Sequence, residues 1–211
     1  MDDKVLEKIV NGRQYRNMLE IRAQGDTEEM IVEGYASTFN EPYVLYKFEN
    51  YTVREQIDPH AFDECDMNDV IFQYDHQGRV FARTSNGTLE VKTDAHGLLV
   101  RANLGGTEMG RTLYGEIKGG YTTKMSFGFR VEEDKREITE NKETGEIDVL
   151  RTITKVSKLY DVSAVSIPAN DGTEISARSF VDGVIEELKA ERLNAEKRRR
   201  QIAKIKLMGA I

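Results

Sequence analysis

The sequence contains little cysteine and histidine and no long apolar run. Its single cysteine, Cys65, cannot form an internal disulfide, which is typical of a chain that works in a reducing compartment. Its longest apolar runs, such as residues 97–100, are far shorter than the roughly 20 residues that cross a bilayer. The first residues also lack the basic and then apolar regions of a secretion signal. We therefore expect a soluble, cytoplasmic protein that does not enter a membrane.

The sequence also has fewer basic than acidic residues. Lys and Arg number 30 against 37 Asp and Glu, which gives a formal net charge of −7. Such a chain offers no broad basic surface to a phosphate backbone, so nucleic-acid binding is not expected. The basic run at residues 197–200 could still touch nucleic acid, or it could be one face of a solvated helix.

Charge and hydropathy divide the chain into three predicted parts. Residues 1–28 are charged and have too few apolar positions to bury much surface, which indicates a partly ordered N-terminal arm. Residues 29–178 have the pattern of one folded domain with its own core. Residues 179–211 are charged and carry a weak seven-residue apolar repeat, which is typical of a solvated helical tail or of an arm that binds a partner.

The central segment has many short strands and few helices. A hairpin at residues 89–102 is the clearest local signal. One helix is predicted at residues 107–119, with Thr107 as its N-cap, and a short one after Pro59. The other predicted strands are 31–39, 51–57, 70–74, 122–131, 147–156 and 159–167. This pattern predicts a mainly β fold with helices (α+β), arranged as a closed or nearly closed β-barrel with helices around it.

Histidine is the scarce residue that matters most for chemistry. Covalent hydrolysis of a peptide needs a hydroxyl or thiol and a base that titrates near neutral pH, and histidine is the usual base. His60 lies in the first turn of a predicted helix, and His96 lies in a hairpin turn. His76 differs because it follows directly from the predicted strand at 70–74, which would hold it at a fixed place. A histidine there can serve as a base or merely fill space.

Ser126 is the candidate nucleophile. It lies between Met125 and Phe127 on a predicted strand, so its side chain points away from the face that carries those apolar residues. Gly128 shares the face of Ser126 and would leave room for a substrate backbone. A strand serine can equally be structural. Cys65 is a poor alternative, because the acidic residues around it disfavour a thiolate.

Metal-dependent hydrolysis is another chemistry that the acidic residues near His76 could serve. Acidic residues at 63, 66, 69 and 75 stand close in sequence to His76. The segment has no second histidine at a metal-ligand spacing, so these residues fit a charged helix face better than a metal site. We expect no metal and no other cofactor.

Five motifs, taken in order, resemble the prohead (capsid maturation) proteases of tailed phages. They are VEGYASTFN at 32–40, REQIDPHAF at 54–62, YDH at 74–76, MSFGF at 125–129 and YDVSAVSIPAN at 160–170. Each motif alone is weak, and the ordered series is what makes the resemblance specific. It spans about residues 30 to 178. Many members of the family have Gly where His60 stands and Asp where this chain has Gln77.

The resemblance implies a serine endopeptidase with a barrel of the herpesvirus assembly protease type. It places the general base at His76 and the nucleophile at Ser126. The acidic residue of the last motif, Asp161, would orient the imidazole and stabilise its cation. As an alternative, Asp161 could simply pair with a lysine such as Lys158.

The resemblance also implies partners. The expected substrates are the scaffold or the scaffold-like N-terminal segment of the major capsid protein, and the protease itself. They would be cleaved inside the assembling prohead in the cytoplasm of the bacterial host, and self-association of the protease is possible. The alternative function is a non-catalytic capsid assembly or scaffolding factor that binds coat protein through the barrel and the charged tail.

Overall fold

The computed structural model describes residues 13–24, 29–166, 190, 193–194 and 197–202. In chain order its strands are β1 (Gln14–Ala23), β2 (Ile31–Thr38), β3 (Tyr43–Phe48), β4 (Tyr51–Ile57), β5 (Ile71–Tyr74), β6 (Gln77–Arg83), β7 (Leu89–Thr93), β8 (Gly97–Asn103), β9 (Lys124–Glu140) and β10 (Ile147–Val165). Helix α1 spans Glu108–Lys118, and a short 3-10 turn spans Thr84–Asn86. The described part is therefore mainly β, as predicted.

Local signals predicted several of these elements correctly. The β7–β8 hairpin pairs Val91 with Val100 across a turn at residues 94–96, and Gly97 is the first residue of β8. Helix α1 begins after Thr107, whose hydroxyl accepts a hydrogen bond from the backbone N–H of Gly110 (3.0 Å) and so satisfies one donor of the first turn. These elements form where the sequence alone specifies both the apolar pattern and the end of the element.

The predicted short helix after Pro59 is wrong. Residues 59–64 form successive tight turns, in which Asp63 N donates to His60 O and Cys65 N donates to Phe62 O, both at 3.1 Å. These bonds join residues three apart, whereas an α-helix joins residues four apart. The start signal at Pro59 therefore leads into a series of turns.

The main sheet runs in the order β3-β4-β10-β9-β1-β2-β8-β7, and β5 pairs with both β10 and β6. The prediction of a closed or nearly closed β-barrel is wrong. Among the described strands, β6 pairs only with β5 and β7 pairs only with β8, so the sheet stays open between β6 and β7.

Near the opening between β6 and β7, side-chain hydroxyl oxygens accept hydrogen bonds from the backbone. The chain passes from β6 to β7 through the 3-10 turn, and Arg83 N donates to the hydroxyl oxygen of Thr88 (2.9 Å). In the same region Val70 N donates to the hydroxyl oxygen of Thr84 (3.0 Å). These bonds give the two backbone N–H groups an acceptor in this region.

The core lies on both faces of β9. Met125, Phe127 and Phe129 are fully buried on one face, and the rings of Phe127 and Phe129 are stacked with centroids 4.6 Å apart. Ser126 and Gly128, on the other face, are buried too. The serine of the fourth motif is therefore enclosed in a rigid, packed strand.

The predicted domain boundaries stay predictions, because the structure describes neither residues 25–28 nor residues 167–189. Strand β1 lies within the segment predicted as an arm and pairs with β9 and β2. In the predicted tail, the described residues 197–202 are helical and exposed. No helix in the described part of the chain is long and apolar enough to span a membrane.

Candidate active site

A tight turn positions His76. Asp75 and His76 join β5 to β6, and both have left-handed backbone angles, with φ of 49° and 56°. Such angles suit the two-residue hairpin turn but are unfavourable for residues other than glycine, so other contacts must hold the turn. The carboxylate of Asp75 accepts hydrogen bonds from the backbone N–H (2.9 Å) and the hydroxyl (2.8 Å) of Ser166. These bonds tie the turn to the end of β10.

The pairing of β9 with β10 positions the other two predicted residues. Asp161 lies opposite Gly128, and Ser163 lies opposite Ser126. Because side chains alternate along a strand, Asp161 and Ser126 share one face of the sheet. Strand β5 pairs with the other edge of β10 and so brings His76 onto the same face. The sheet therefore gathers three residues that are far apart in sequence.

His76 forms hydrogen bonds to both Ser126 and Asp161. Its Nε2 lies 2.6 Å from Ser126 Oγ, and its Nδ1 is bonded to Asp161 Oδ2. An ionised carboxylate can only accept, so Nδ1 carries the hydrogen, and Nε2 of the neutral imidazole accepts the hydroxyl hydrogen of Ser126. This is the geometry that an activated serine nucleophile, its base and an orienting carboxylate require.

The three side chains are enclosed. Ser126 is 0% exposed, Asp161 1% and His76 7%. The ring of Tyr15, from β1, contacts the imidazole edge-on with centroids 4.4 Å apart, and burial raises the pKa of this tyrosine. A charge–charge contact of 3.8 Å joins Arg13 Nη1 to Asp161 Oδ1. The start of β1 therefore lies over the candidate site.

Gly128 has a different role from the one predicted. A Cβ at this position would overlap Asp161 Oδ1 and would lie 2.9 Å from Tyr15 Cε1. The absent side chain makes room for the Asp161 carboxylate, whereas the expected occupant of that room was a substrate backbone. The glycine of the Ser-x-Gly motif is thus required by the site itself.

Ser126 is enclosed in this conformation, with 0% of its surface exposed. The backbone of Asn17 in β1 lies opposite Ser126 of β9, and a register shift in β1 follows directly between Asn17 and Leu19. A cleft of about 580 Å³ opens elsewhere, lined by residues of β1, β2, β8 and β9 that include Glu33 and Lys124 but none of the three candidate residues.

The other sequence candidates lie apart from this site. His60 is exposed and paired with Asp63 (3.0 Å), and His96 is exposed against the ring of Tyr35. Burial raises the pKa of Cys65 to about 11, which fits a thiol that is a poor nucleophile.

Two alternatives from the sequence analysis fail on geometry. Lys158 pairs with Asp66 (2.7 Å) and not with Asp161. In the part of the chain that the structure describes, no group of three or more His, Cys, Asp or Glu side chains is placed to hold a metal ion. The acidic residues near His76 therefore do not form a metal site with it in the described structure.

Sequence comparison decides the family. Residues 17–207 match the family described as caudovirus prohead serine protease. The chain belongs to this family. A prohead serine protease is a serine peptidase of phage capsid maturation, and the matched span includes His76, Ser126 and Asp161.

One solved structure similar to this prohead serine protease is the capsid assembly protease of bacteriophage T4. The two chains are 12% identical, and the similarity covers 74% of this chain and 99% of the T4 chain with a TM-score of 0.41. No curated protein matches the sequence.

Two residues that surround the candidate triad in this prohead serine protease are not predicted by the sequence motifs. Tyr15 lies in the segment predicted to be a partly ordered arm, and the hydroxyl of Ser163 donates to Asp161 Oδ2 (3.1 Å). Ser163 follows Asp161 by two positions, so strand alternation alone would have placed it on the same face. The contact of Tyr15 with His76 had no comparable signal, because residue 15 reaches the site through its pairing with β9.

Proposed function

We propose that this member of the family is an endopeptidase in which Ser126 is the nucleophile, His76 the general base and Asp161 the orienting carboxylate. The observation that carries the proposal is the continuous hydrogen-bonded chain from Asp161 through His76 to Ser126. Family membership supports the reaction class, and the geometry supports the choice of residues.

The proposed reaction follows from this chain. Ser126 Oγ attacks the peptide carbonyl carbon while its hydrogen passes to His76 Nε2, and the carbonyl oxygen becomes an oxyanion. The imidazolium that forms is stabilised by the Asp161 carboxylate. The C–N bond then breaks, and the leaving amine takes the proton from Nε2. A water molecule, activated by the same nitrogen, hydrolyses the resulting acyl-enzyme and restores the serine.

The proposed substrates are proteins of the assembling capsid. They are the scaffold or the scaffold-like N-terminal segment of the major capsid protein, cleaved inside the prohead in the host cytoplasm. The protease itself is a further proposed substrate. Family membership supports capsid proteins as the class of substrate.

The experiment follows the masses of protease and coat protein over time after co-expression. Wild type is expected to shorten the coat protein or itself, whereas Ser126→Ala and His76→Ala stay uncut. Ser157→Ala is the matched control, because this serine is on the same sheet but its hydroxyl donates to the carbonyl of Arg130 (3.3 Å), away from the three candidate residues. It should process like wild type.

Two outcomes would reject the proposal. Equal processing by Ser126→Ala would assign the cleavage to another residue or to a contaminating protease. Absence of processing by every variant, with coat protein still bound, would favour the non-catalytic assembly factor.

A further inference from the structure

Ser163 is a buried hydroxyl that the reaction outlined above does not use. It is 0% exposed, it lies on β10 two residues after Asp161, and its backbone lies opposite that of Ser126. Its hydroxyl donates to Asp161 Oδ2 at 3.1 Å. A buried hydroxyl that donates to a carboxylate forms one of the stronger kinds of protein hydrogen bond, since the acceptor is charged.

The two oxygens of the Asp161 carboxylate differ in the number of hydrogen bonds that they accept. Its Oδ2 accepts from both His76 Nδ1 and Ser163 Oγ, while its buried Oδ1 has no hydrogen-bond donor among the described residues. The nearest charge to Oδ1 is the guanidinium of Arg13, at 3.8 Å. A carboxylate bonded only to His76 would be freer to rotate about its last side-chain bond, because the Ser163 hydroxyl gives Oδ2 its other hydrogen bond among the described residues.

Gly128 confines the same carboxylate from the other side. The space beside Oδ1 exists because this residue has no Cβ, and a Cβ would also lie 3.2 Å from Asp161 Cγ. The backbone of Gly128 therefore limits where the carboxylate can move, and Ser163 selects one orientation within that space.

We propose that Ser163 is a positioning residue of the reaction, whose hydroxyl holds Asp161 Oδ2 toward His76 Nδ1 in the space left open by Gly128. It acts through Asp161 and touches neither the substrate nor Ser126's proton. This inference rests on the proposed function for its effect on rate, but the geometry that it describes can be observed without any turnover.

The first test is spectroscopic. The hydrogen on His76 Nδ1, bonded to a carboxylate, should give a far-downfield proton resonance that is identified by its loss in His76→Ala. In Ser163→Ala this resonance is expected to shift and broaden, because the carboxylate reorients and the hydrogen exchanges faster with water. Ser157→Ala, on the same strand, should leave it unchanged. An unchanged resonance in Ser163→Ala would overturn the proposal.

The second test is kinetic. Loss of a hydrogen bond to a charged group predicts that kcat for Ser163→Ala falls by about 10- to 100-fold with little change in KM. In an Asp161→Asn background the same change should have little further effect, because residues that act as a unit are not additive. A full additional loss in that background, or an effect on KM alone, would overturn the proposal.

Two controls keep the outcome clear. If Ser163→Ala does not fold, Ser163→Cys, which is close in shape and a much weaker donor, carries both measurements with the same expected directions. If wild type shows the resonance but cuts nothing, the proposed protease function fails. The spectroscopic comparison of Ser163→Ala with wild type then still decides the positioning role.

Discussion

Two clusters of buried polar side chains lie along β10, and they are built in opposite ways. One is the candidate triad around Asp161. The other joins Arg16 of β1, Glu55 of β4 and Arg151 of β10, each no more than 2% exposed. Both clusters contain one central carboxylate, so they show how the same group is used for structure in one place and for chemistry in another.

Glu55 is saturated with donors. Its Oε2 accepts from Arg16 Nη2 (2.9 Å) and Arg151 Nη1 (2.8 Å), and its Oε1 accepts from Arg16 Nε and the hydroxyl of Tyr43. Burial alone would raise the pKa of Glu55, but the charges and hydrogen bonds of the arginines outweigh it and lower the pKa to about 2. Glu55 is therefore a permanent anion between permanent cations.

Asp161 differs because one of its oxygens has no donor in the described structure and its main partner is the imidazole of His76, which is not a permanent cation as a guanidinium is. A carboxylate arranged in this way balances a charge that appears only during the proposed reaction. The comparison teaches that complete pairing marks a structural cluster, while incomplete pairing at a buried carboxylate marks a candidate site.

Replacing a carboxylate by an amide at Asp161 and at Glu55 tests whether the first serves the reaction and the second serves stability. Asp161→Asn is expected to lower kcat by about 10⁴-fold, because the amide no longer stabilises the imidazolium or selects its tautomer. Its urea midpoint should stay close to that of wild type. Processing rates under matched conditions check the prediction, and a variant with normal rates would remove Asp161 from the mechanism.

Glu55→Gln is expected to give the reverse result. Removal of the anion leaves the buried guanidinium of Arg16 without its charged partner, whereas Arg151 keeps Asp134 (2.6 Å). The loss at Arg16 should lower the free energy of unfolding by about 3–5 kcal/mol. The fraction that remains folded should process substrate normally. Urea unfolding measures the change. As a control, Glu20→Gln removes the partner of Arg22 in an exposed pair and should hardly move the midpoint.

The low pKa of Glu55 also predicts a dependence on pH. Because its pKa falls from an ordinary 4.5 to about 2 on folding, its contribution to stability is complete above 4.5 and is lost as the pH falls toward 2. The stability difference between wild type and Glu55→Gln should therefore shrink over that interval. Unfolding curves at several pH values test this, and a constant difference would show that Glu55 is not held ionised.

Gly128→Ala tests whether space beside Asp161 matters for the reaction. A displacement of the carboxylate by roughly 1 Å is expected to lower kcat by about 10²-fold. The matched control is Gly115→Ala on α1, where a Cβ would meet nothing within 4 Å. That variant should keep its activity and gain up to about 1 kcal/mol of stability from helix propensity. Equal activity of the two variants would contradict the role of Gly128.

The smallest effect is expected at Cys65. Its pKa of about 11 leaves almost no thiolate at neutral pH, so thiol reagents should react slowly and Cys65→Ser should process substrate at the wild-type rate. Rapid inactivation by a thiol reagent would contradict this prediction, because it would indicate a reactive thiolate close to the candidate active site.

Sequence patterns predicted the elements whose signals are local. The β7–β8 hairpin and α1 have their turn and cap residues within a few positions of the apolar residues that they organise. The three residues of the candidate site were found for a related reason, since each stands in a short motif and the order of those motifs resembles a known family. Strand β1 was missed because its polar residues, such as Arg16, are buried only by partners from distant strands.

The sequence by itself indicated the family and proposed the three candidate residues at positions 76, 126 and 161, because motif order needs no coordinates. Only the tertiary structure decided that the sheet stays open, that the start of β1 covers the site, and that Gly128 and Ser163 confine the Asp161 carboxylate. The physical reason is that these features depend on the register between strands far apart in sequence. A shift of one residue in that register would turn each of these side chains to the opposite face.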